Sequence, residues 1–170
     1  MARPRRLKRE MRRSHSLGLA GLALLALVGC DHVTKHVAKV DLQGQPPKRM
    51  LGSVLDMRYV ENTDVAFNLL RAVPEKTRAP LLLASGLLGC AALLGLLAAR
   101  PWRPAVQAAL VLVMAGAVGN TLDRVARGYV VDFIHVPHWP VFNVADICVT
   151  AGAALLLWAT LRPPPRPVAS

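Results

Sequence analysis

The sequence predicts a mainly α membrane protein, with four transmembrane helices and a small extramembrane β-sheet between the first and second spans. Three observations carry that expectation. The 170 residues are 54% hydrophobic with a mean hydropathy of +0.37, too apolar for an ordinary soluble domain and long enough for only one. Long uncharged runs recur along the chain. All but one unit of the formal charge of +11 lies in three segments that alternate with them: the first sixteen residues carry seven basic side chains against Glu10, the turn from Arg100 to Arg103 carries two, and the tail carries Arg162 and Arg166. Basic charge that alternates with apolar spans follows the positive-inside rule and argues against a nucleic-acid-binding face. Both termini and the Arg100 turn are therefore expected in the cytoplasm, in a single integral membrane domain of residues 1–170.

Residues 1–16 are read as a basic cytoplasmic arm. From Leu17 to Cys30 the chain is uncharged, but at ~1.5 Å per residue this run reaches only about 21 Å, short of a hydrocarbon core of ~30 Å. The helix must continue, and Asp31 with Lys35, placed at i and i+4, supports this because each neutralises the other near the outer interface. The first span is expected from Ser14 to Ala38. A basic start followed by Leu27-Val28-Gly29-Cys30 also has the look of a secretory signal ending at a lipidated cysteine. Three further spans speak against that reading, because few lipoproteins have them. Residues 40–79 are mixed in charge and read as a periplasmic β segment: Gln43 to Pro47 marks a loop, Leu55 to Tyr59 alternates as a half-buried strand, and Val65 to Leu70 is predicted as a second. Pro80 to Ala99 is long enough to span, with proline at its first turn. The turn that follows contains Trp102, suited to the interface. The third span, Pro104 to Leu122, contains the small residues Ala115 to Gly119, and the fourth, Val141 to Leu161, contains Ala151 to Ala154, so these helices are expected to approach closely. The tail, 162–170, is expected to be disordered.

The stretch from Gly119 to Asp146 puts Asn120, Asp123, Arg124, Asp132, Asn143 and Asp146 at and between the ends of two apolar segments, where polar and ionisable groups are costly and usually functional. On helices, Asn120, Asp123 and Arg124 would share one face, as would Asn143, Asp146 and Thr150. Asp132 lies in the connection, within reach of Asp146. Two carboxylates held close cannot both ionise, so such a pair holds a water molecule between a base and an acid, and peptide hydrolysis can proceed without a covalent intermediate. Asp123 is read as a structural partner of Arg124, whose charge would spoil it for sharing a proton; the competing assignment pairs Asp123 with Asp146. His32, His36, His135 and His138 offer a rival metal site, but there is no H-E-x-x-H, and neither metal nor cofactor is expected. Cys30, Cys90 and Cys148 each sit in an apolar run, without disulfide spacing, and read as buried thiols. An alternative from another class is a small ion-coupled transporter or channel using Asp31, Asp132 and Asp146, although such charges usually sit at the bilayer midplane.

Five segments in order resemble lipoprotein signal peptidase, the signal peptidase II family. Asp31-His-Val-Thr-Lys35 is similar to that family's D-x-x-T-K segment, Glu61 to Phe67 to its E-N-x-G-A-A-F segment, and Gly119 to Arg124 to its G-N-x-x-D-R segment. Val130 to Phe133 and Phe142 to Asp146 resemble the two segments that hold the catalytic aspartates. The resemblance covers nearly the whole chain. It implies an aspartic endopeptidase of the bacterial inner membrane that cleaves diacylglyceryl-modified prolipoproteins on the amino side of the modified cysteine, with its site at the outer face. Asp132 and Asp146 become the dyad; Asn62, Asn120, Arg124 and Asn143 line the substrate channel; Asp31 and Lys35 support it. The implied partners are a lipid-modified prolipoprotein and membrane lipids, with no nucleic acid, and the protein is expected to be a monomer. Asp64 and Val65 depart from the family's usual Gly and Ala, which bears on the local turn. Only thirteen residues separate Asp132 from Asp146, so any flap formed there is expected to be small.

The N-terminus is expected to be retained as a membrane anchor. Intact-mass measurement on membrane-extracted protein checks this, and a mass that begins at a lipidated Cys30 would establish the secretory-signal reading instead.

Overall fold

The structure, a computed structural model, describes residues 3–52, 54–64, 73–99 and 102–162. Helix α1 (Arg3–Leu42) leads into a hairpin of β1 (Lys48–Leu51) and β2 (Leu55–Asn62). Helices α2 (Glu75–Ala99) and α3 (Pro104–Arg127), strand β3 (Val130–His135) and helix α4 (Val144–Leu161) complete the order. Four segments of these helices are long and apolar enough to cross a membrane: Ser14–Leu42, Lys76–Ala99, Pro104–Arg127 and Val144–Leu161. Their alternating directions bring the end of α1, the start of α2, the end of α3 and the start of α4 to one side, together with all three strands.

The element boundaries follow from local chemistry. The first span runs past Ala38 to Leu42 because Ala38 and Leu42 pack with Phe133 of β3 in a small core, so the last turn of α1 has something to bury against. Helix α2 begins earlier than Pro80: the Pro74 carbonyl accepts the N–H groups of Thr77 and Arg78 at 2.9 and 3.1 Å, and Pro80 falls inside the helix instead of its first turn. Helix α3 opens on Pro104 at its first position and stops at Gly128, whose left-handed φ of 81° suits glycine and whose N–H reaches Arg124 O. Helix α4 starts at Val144 and not Val141, because Phe142 forms a bridge to Ile134 and Asn143 caps the helix. Trp102 is half-buried, and its Nε1 donates to Leu96 O at 2.7 Å. The second strand expected at Val65 to Leu70, Arg100 of the turn, and the tail beyond Arg162 lie outside the described residues.

The sheet, of order β1-β2-β3 and antiparallel throughout, is not confined to the segment between the first two spans. Its third strand comes from the connection between α3 and α4. Alternation gave no sign of it, since Val130, Val131, Asp132 and Phe133 are all buried: one face of β3 packs on α1 and the other looks into the protein. A strand covered on both faces carries no period-two pattern.

Helix α3 is the central post. Half of its apolar window is buried, against 6% for α1, 6% for α2 and 22% for α4, so the other three lean on it and present their remaining faces to lipid. Small residues set the closest approach. A Cβ placed on Gly116 would run into the carbonyl oxygen of Ala145 and the Val149 side chain, and one on Gly152 would meet Ala109 O at 2.8 Å. Leu19, Leu22, Leu25, Leu88 and Leu94, exposed here, are the side chains that a bilayer would cover.

Gly116→Ala is expected to push α4 off α3 and cost about 1–3 kcal/mol, the usual range for overpacking. Thermal unfolding of the detergent-solubilised variant measures this, with Gly89→Ala, where nothing lies within 4 Å of the added carbon, as the silent control.

Candidate active site

The site is built outward from a buried lysine. Lys35 is 0% exposed; its ammonium donates to Asn120 Oδ1 at 3.0 Å and forms ion pairs with Asp31 Oδ2 at 2.8 Å and Asp123 Oδ2 at 2.9 Å. Three oxygens, two of them on carboxylates, surround the ammonium and compensate for its removal from water. Each acceptor reaches further. Asp31 Oδ1 accepts the N–H of Ala145 at 2.9 Å, which joins α1 to the first turn of α4. Asp123 binds Arg127 Nη1 at 2.7 Å and the N–H of Val131 at 3.3 Å, which joins α3 to β3.

Asp31 and Lys35 thus form the expected ion pair. Asp123 does not pair with Arg124 as the sequence reading had it; its partners are Lys35 and Arg127. The physical reason was available, because an adjacent residue on a helix points about 100° away while i+4 lies on the same face. Asn120 and Arg124 look into a cavity, and Asp123 looks at α1 and β3.

The same network orients a row of amides. Because Asn120 Oδ1 accepts from Lys35, its amide nitrogen points the other way and donates to Asp146 Oδ1 at 2.8 Å. Asn143 caps α4: its Oδ1 accepts Asp146 N at 3.0 Å while Asp146 Oδ2 accepts Asn143 N at 3.2 Å, a reciprocal capping box. The Asn143 amide nitrogen then donates to Asp132 Oδ1 at 2.6 Å. Asp132 reaches this point from β3, opposite Val60 of β2, and Asn62, opposite Val130, is its diagonal neighbour and donates to Asp132 Oδ2 at 2.8 Å. One asparagine therefore touches both Asp132 and Asp146, and two further asparagines hold their outer oxygens.

Asn143 also departs from the place that the resemblance implies. It is 0% exposed and does not line the channel; it ties the two aspartates together from behind. It also does not share a helical face with Asp146 and Thr150, because it is the cap and not part of the helix. Arg124 does line the cavity, held by Asn120 O at 3.4 Å and Asp64 O at 3.3 Å. Sequence reasoning missed Arg127, which the i+4 spacing would have found, and Arg78, for which no local pattern exists.

A cavity of about 1210 Å³ runs from this polar end between the helices. Leu82 and Gly86 of α2, Ala117 of α3 and Val149 of α4 line its apolar part, while Asn62, Asn120, Arg124, Asp132 and Asp146 line the other. Burial pushes the Asp132 carboxyl up to about 6; the Asn62 hydrogen bond opposes this, the neighbouring Asp146 adds to it, and Asn143 and Lys35 pull down. His135 Nδ1 is 2.9 Å from Asp56 Oδ2, and among the described residues no three His, Cys, Asp or Glu side chains are grouped to hold a metal ion. Cys148 is buried as expected, whereas Cys30 is exposed and Cys90 half-buried, on helix faces turned outward.

Membrane-crossing helices around a cavity with a carboxylate-bearing end define a polytopic membrane enzyme. Two solved structures of a bacterial membrane enzyme are similar to this chain at 26% identity, with TM-scores of 0.73 and 0.75, over 85% of this chain and 88% and 94% of theirs. The lipoprotein signal peptidase of Moorella thermoacetica is 37% identical over 145 residues, 84% of this chain and 91% of its own length. That of Symbiobacterium thermophilum is 39% identical over 141 residues, 79% and 88% of the two chains. The family model for signal peptidase (SPase) II matches residues 23–162. The chain belongs to the signal peptidase II family, aspartic-type endopeptidases that remove signal peptides from lipoproteins, and is a bacterial multi-pass membrane protein. Family membership sets the transporter reading aside.

The raised value at Asp132 has a consequence for stability. An unfolded Asp titrates near ~3.9, so between pH 4 and 6 the folded state keeps a proton that the unfolded chain has released, and stability falls as pH rises through that window. Thermal melts should show wild type gaining on Asp132→Asn as pH drops from 7 to 4, by an amount on the order of 3 kcal/mol. A difference that does not vary with pH would show that Asp132 titrates normally.

Proposed function

We propose that this chain removes the signal peptide from diacylglyceryl-modified prolipoproteins, cleaving on the amino side of the modified cysteine, with Asp132 and Asp146 as the catalytic pair. The observation that carries this reading is Asn143, whose side-chain amide donates to the Asp132 carboxylate and whose backbone N–H donates to the Asp146 carboxylate, at the polar end of a cavity walled by membrane-crossing helices. A lipid-modified substrate is already confined to the bilayer, so the site needs no large soluble cleft. Its acyl chains fit the apolar wall, and the peptide bond then lies at the polar end.

The chemistry follows from the two environments. Asp146 sits in the first turn of α4, where the helix dipole favours negative charge, and takes a proton from a water molecule held between the carboxyl groups. The water oxygen attacks the scissile carbonyl carbon. Asp132, raised to about 6 by burial, supplies the proton to the carbonyl oxygen, and a neutral gem-diol results. Asp132 recovers its proton as the diol collapses, while Asp146 passes its proton to the leaving nitrogen. The products are a signal peptide with a new carboxyl group and a lipoprotein with a free amine, and no covalent enzyme intermediate forms. Arg124 and Asn62 are assigned to peptide carbonyl groups, Asn120 and Asn143 to the pair itself, and Lys35 with Asp31 and Asp123 to the scaffold.

The orientation follows the charge. The basic arm, Arg103 and Arg162 belong to the ends of helices opposite the sheet, so we read both termini as cytoplasmic and the segment 40–79, with the sheet and the site, as periplasmic. The protein is taken as a single membrane domain acting as a monomer, without metal or cofactor.

Purified protein with a diacylglyceryl-modified prolipoprotein in detergent tests this. Asp132→Asn and Asp146→Asn should each abolish turnover with the fold retained, and the double variant should be no worse than either, because the two act as a unit. Asp123→Asn should lower stability by about 3–5 kcal/mol, since it leaves a buried cation short of a partner, and the folded fraction should keep activity. An active Asp132→Asn beside a dead, well-folded Asp123→Asn would move the pair to Asp123 and Asp146.

A further inference from the structure

Asp64 stands at the end of β2, where the resemblance to the family leads one to expect glycine. Its side chain is not a solvated loop acid: the residue is 6% exposed, and its Oδ2 lies 3.5 Å from Arg78 Nη1 in the first turns of α2. Arg78 is itself anchored by a bond from Nη2 to Val73 O at 3.0 Å. The backbone of Asp64 holds two residues that line the cavity beside the proposed catalytic pair. Its N–H donates to Asn62 Oδ1 at 2.9 Å, and its carbonyl accepts from Arg124 Nη2 at 3.3 Å.

The bond to Asn62 matters most. An amide has an oxygen end and a nitrogen end, and which end faces a carboxylate is decided by what holds the other. With its oxygen taken by Asp64 N–H, Asn62 has only its nitrogen to offer Asp132, at 2.8 Å. Without that constraint the amide is free to turn and present oxygen, which an ionised Asp132 repels and a protonated one attracts. A glycine at position 64 would supply the same N–H from a backbone that nothing on the side-chain side restrains. Here an ion pair to a different helix restrains it.

We propose that Asp64 and Arg78 form a positioning pair: by clamping the end of β2 to α2 they fix the Asn62 amide against Asp132 and Arg124 against the cavity wall, and so set the protonation and geometry of the catalytic pair. Neither is a catalytic residue. The proposal rests on Asp132 being a member of that pair. It also gives α2, which packs chiefly on α3, a second attachment at the polar end of the cavity.

The pH dependence of kcat/KM separates positioning from simple electrostatics. The charged groups facing Asp132 from the other elements are Lys35 of α1, Arg124 of α3 and Asp146 of α4, none of them altered in the test. If the pair acted only through its charges, Asp64→Asn would ease the loss of the Asp132 proton and move the alkaline limb down. Arg78→Gln would move it up, and the double variant would show the sum. Loss of the clamp instead releases Asn62 in both, and the hydrogen bond that favours the ionised form weakens in both. The expected result is an alkaline limb shifted up in each single variant, with kcat lowered about tenfold. The double variant should be no worse than either, and Arg78→Lys should return part of the way. Opposite or additive shifts, or no shift in well-folded protein, overturn the proposal. Should Asp64→Asn not fold, Arg78→Lys decides it: the charge is kept, so an effect of charge alone leaves the limb at the wild-type position and overturns the proposal, whereas a weakened clamp leaves it shifted up part of the way. Asp132→Asn in the same assay keeps the two ideas apart: activity there retires the catalytic pair, whereas a dead Asp132→Asn with an unshifted Arg78→Gln retires the clamp alone.

Discussion

A lysine ammonium buried among three oxygens is the interaction on which this structure depends. Lys35 joins Asp31 on its own helix to Asp123 and Asn120 on α3, and through the oxygens of these residues α4 and β3 are drawn in as well. Buried ion pairs rarely add net stability, because desolvation takes back most of what attraction supplies. What this one provides is direction. A buried charge tolerates only arrangements that keep its counter-charges and acceptor beside it, so the helices are held in one register and not merely in contact.

That directionality propagates to the proposed chemistry. The Asn120 oxygen is spoken for by Lys35, so its nitrogen faces Asp146. The Asn143 oxygen is spoken for by the start of α4, so its nitrogen faces Asp132, and Asn62 is handled in the same way from the far side by the backbone of Asp64. Each aspartate therefore receives donors whose orientation is set by something other than the aspartate itself. Preorganisation of this kind means that the pair does not have to rearrange its surroundings when charge moves during the reaction. It also accounts for three amides, which cannot exchange a proton, standing around the two groups proposed to do so.

The cavity reflects the same division of labour. Its apolar walls come from helices whose outer faces are already turned to lipid, and its polar end is closed by β3, a strand inserted between the last two spans. Glycines at 116 and 152 let α4 come against α3 closely enough for the Asn143 cap and Asn120 to meet, at 3.1 Å between Asn143 Nδ2 and Asn120 Oδ1. Close packing of these two helices is thus a condition for the alignment of the aspartates.

Much of this was legible in the linear order of residues. Four apolar runs of spanning length, separated by basic turns, imply four helices. The ion pair of Asp31 and Lys35, the strand beginning at Leu55 and the gathering of Asp132, Asp146 and their asparagines near one end follow from spacing that is local along the chain. What lay beyond the sequence has a common cause. Strand β3 is covered on both faces and so shows no alternation; Asn143 works from behind the aspartates because its amide is taken up by Asp132, Asn120 and the start of α4; Asp64 meets Arg78 across a stretch of chain that carries no pattern linking them. Periodicity reports how a segment divides its surface between lipid or water and protein, and that much the sequence alone determined. Which acceptor each buried donor faces depends on atoms brought together from distant segments, and only the tertiary structure decided it.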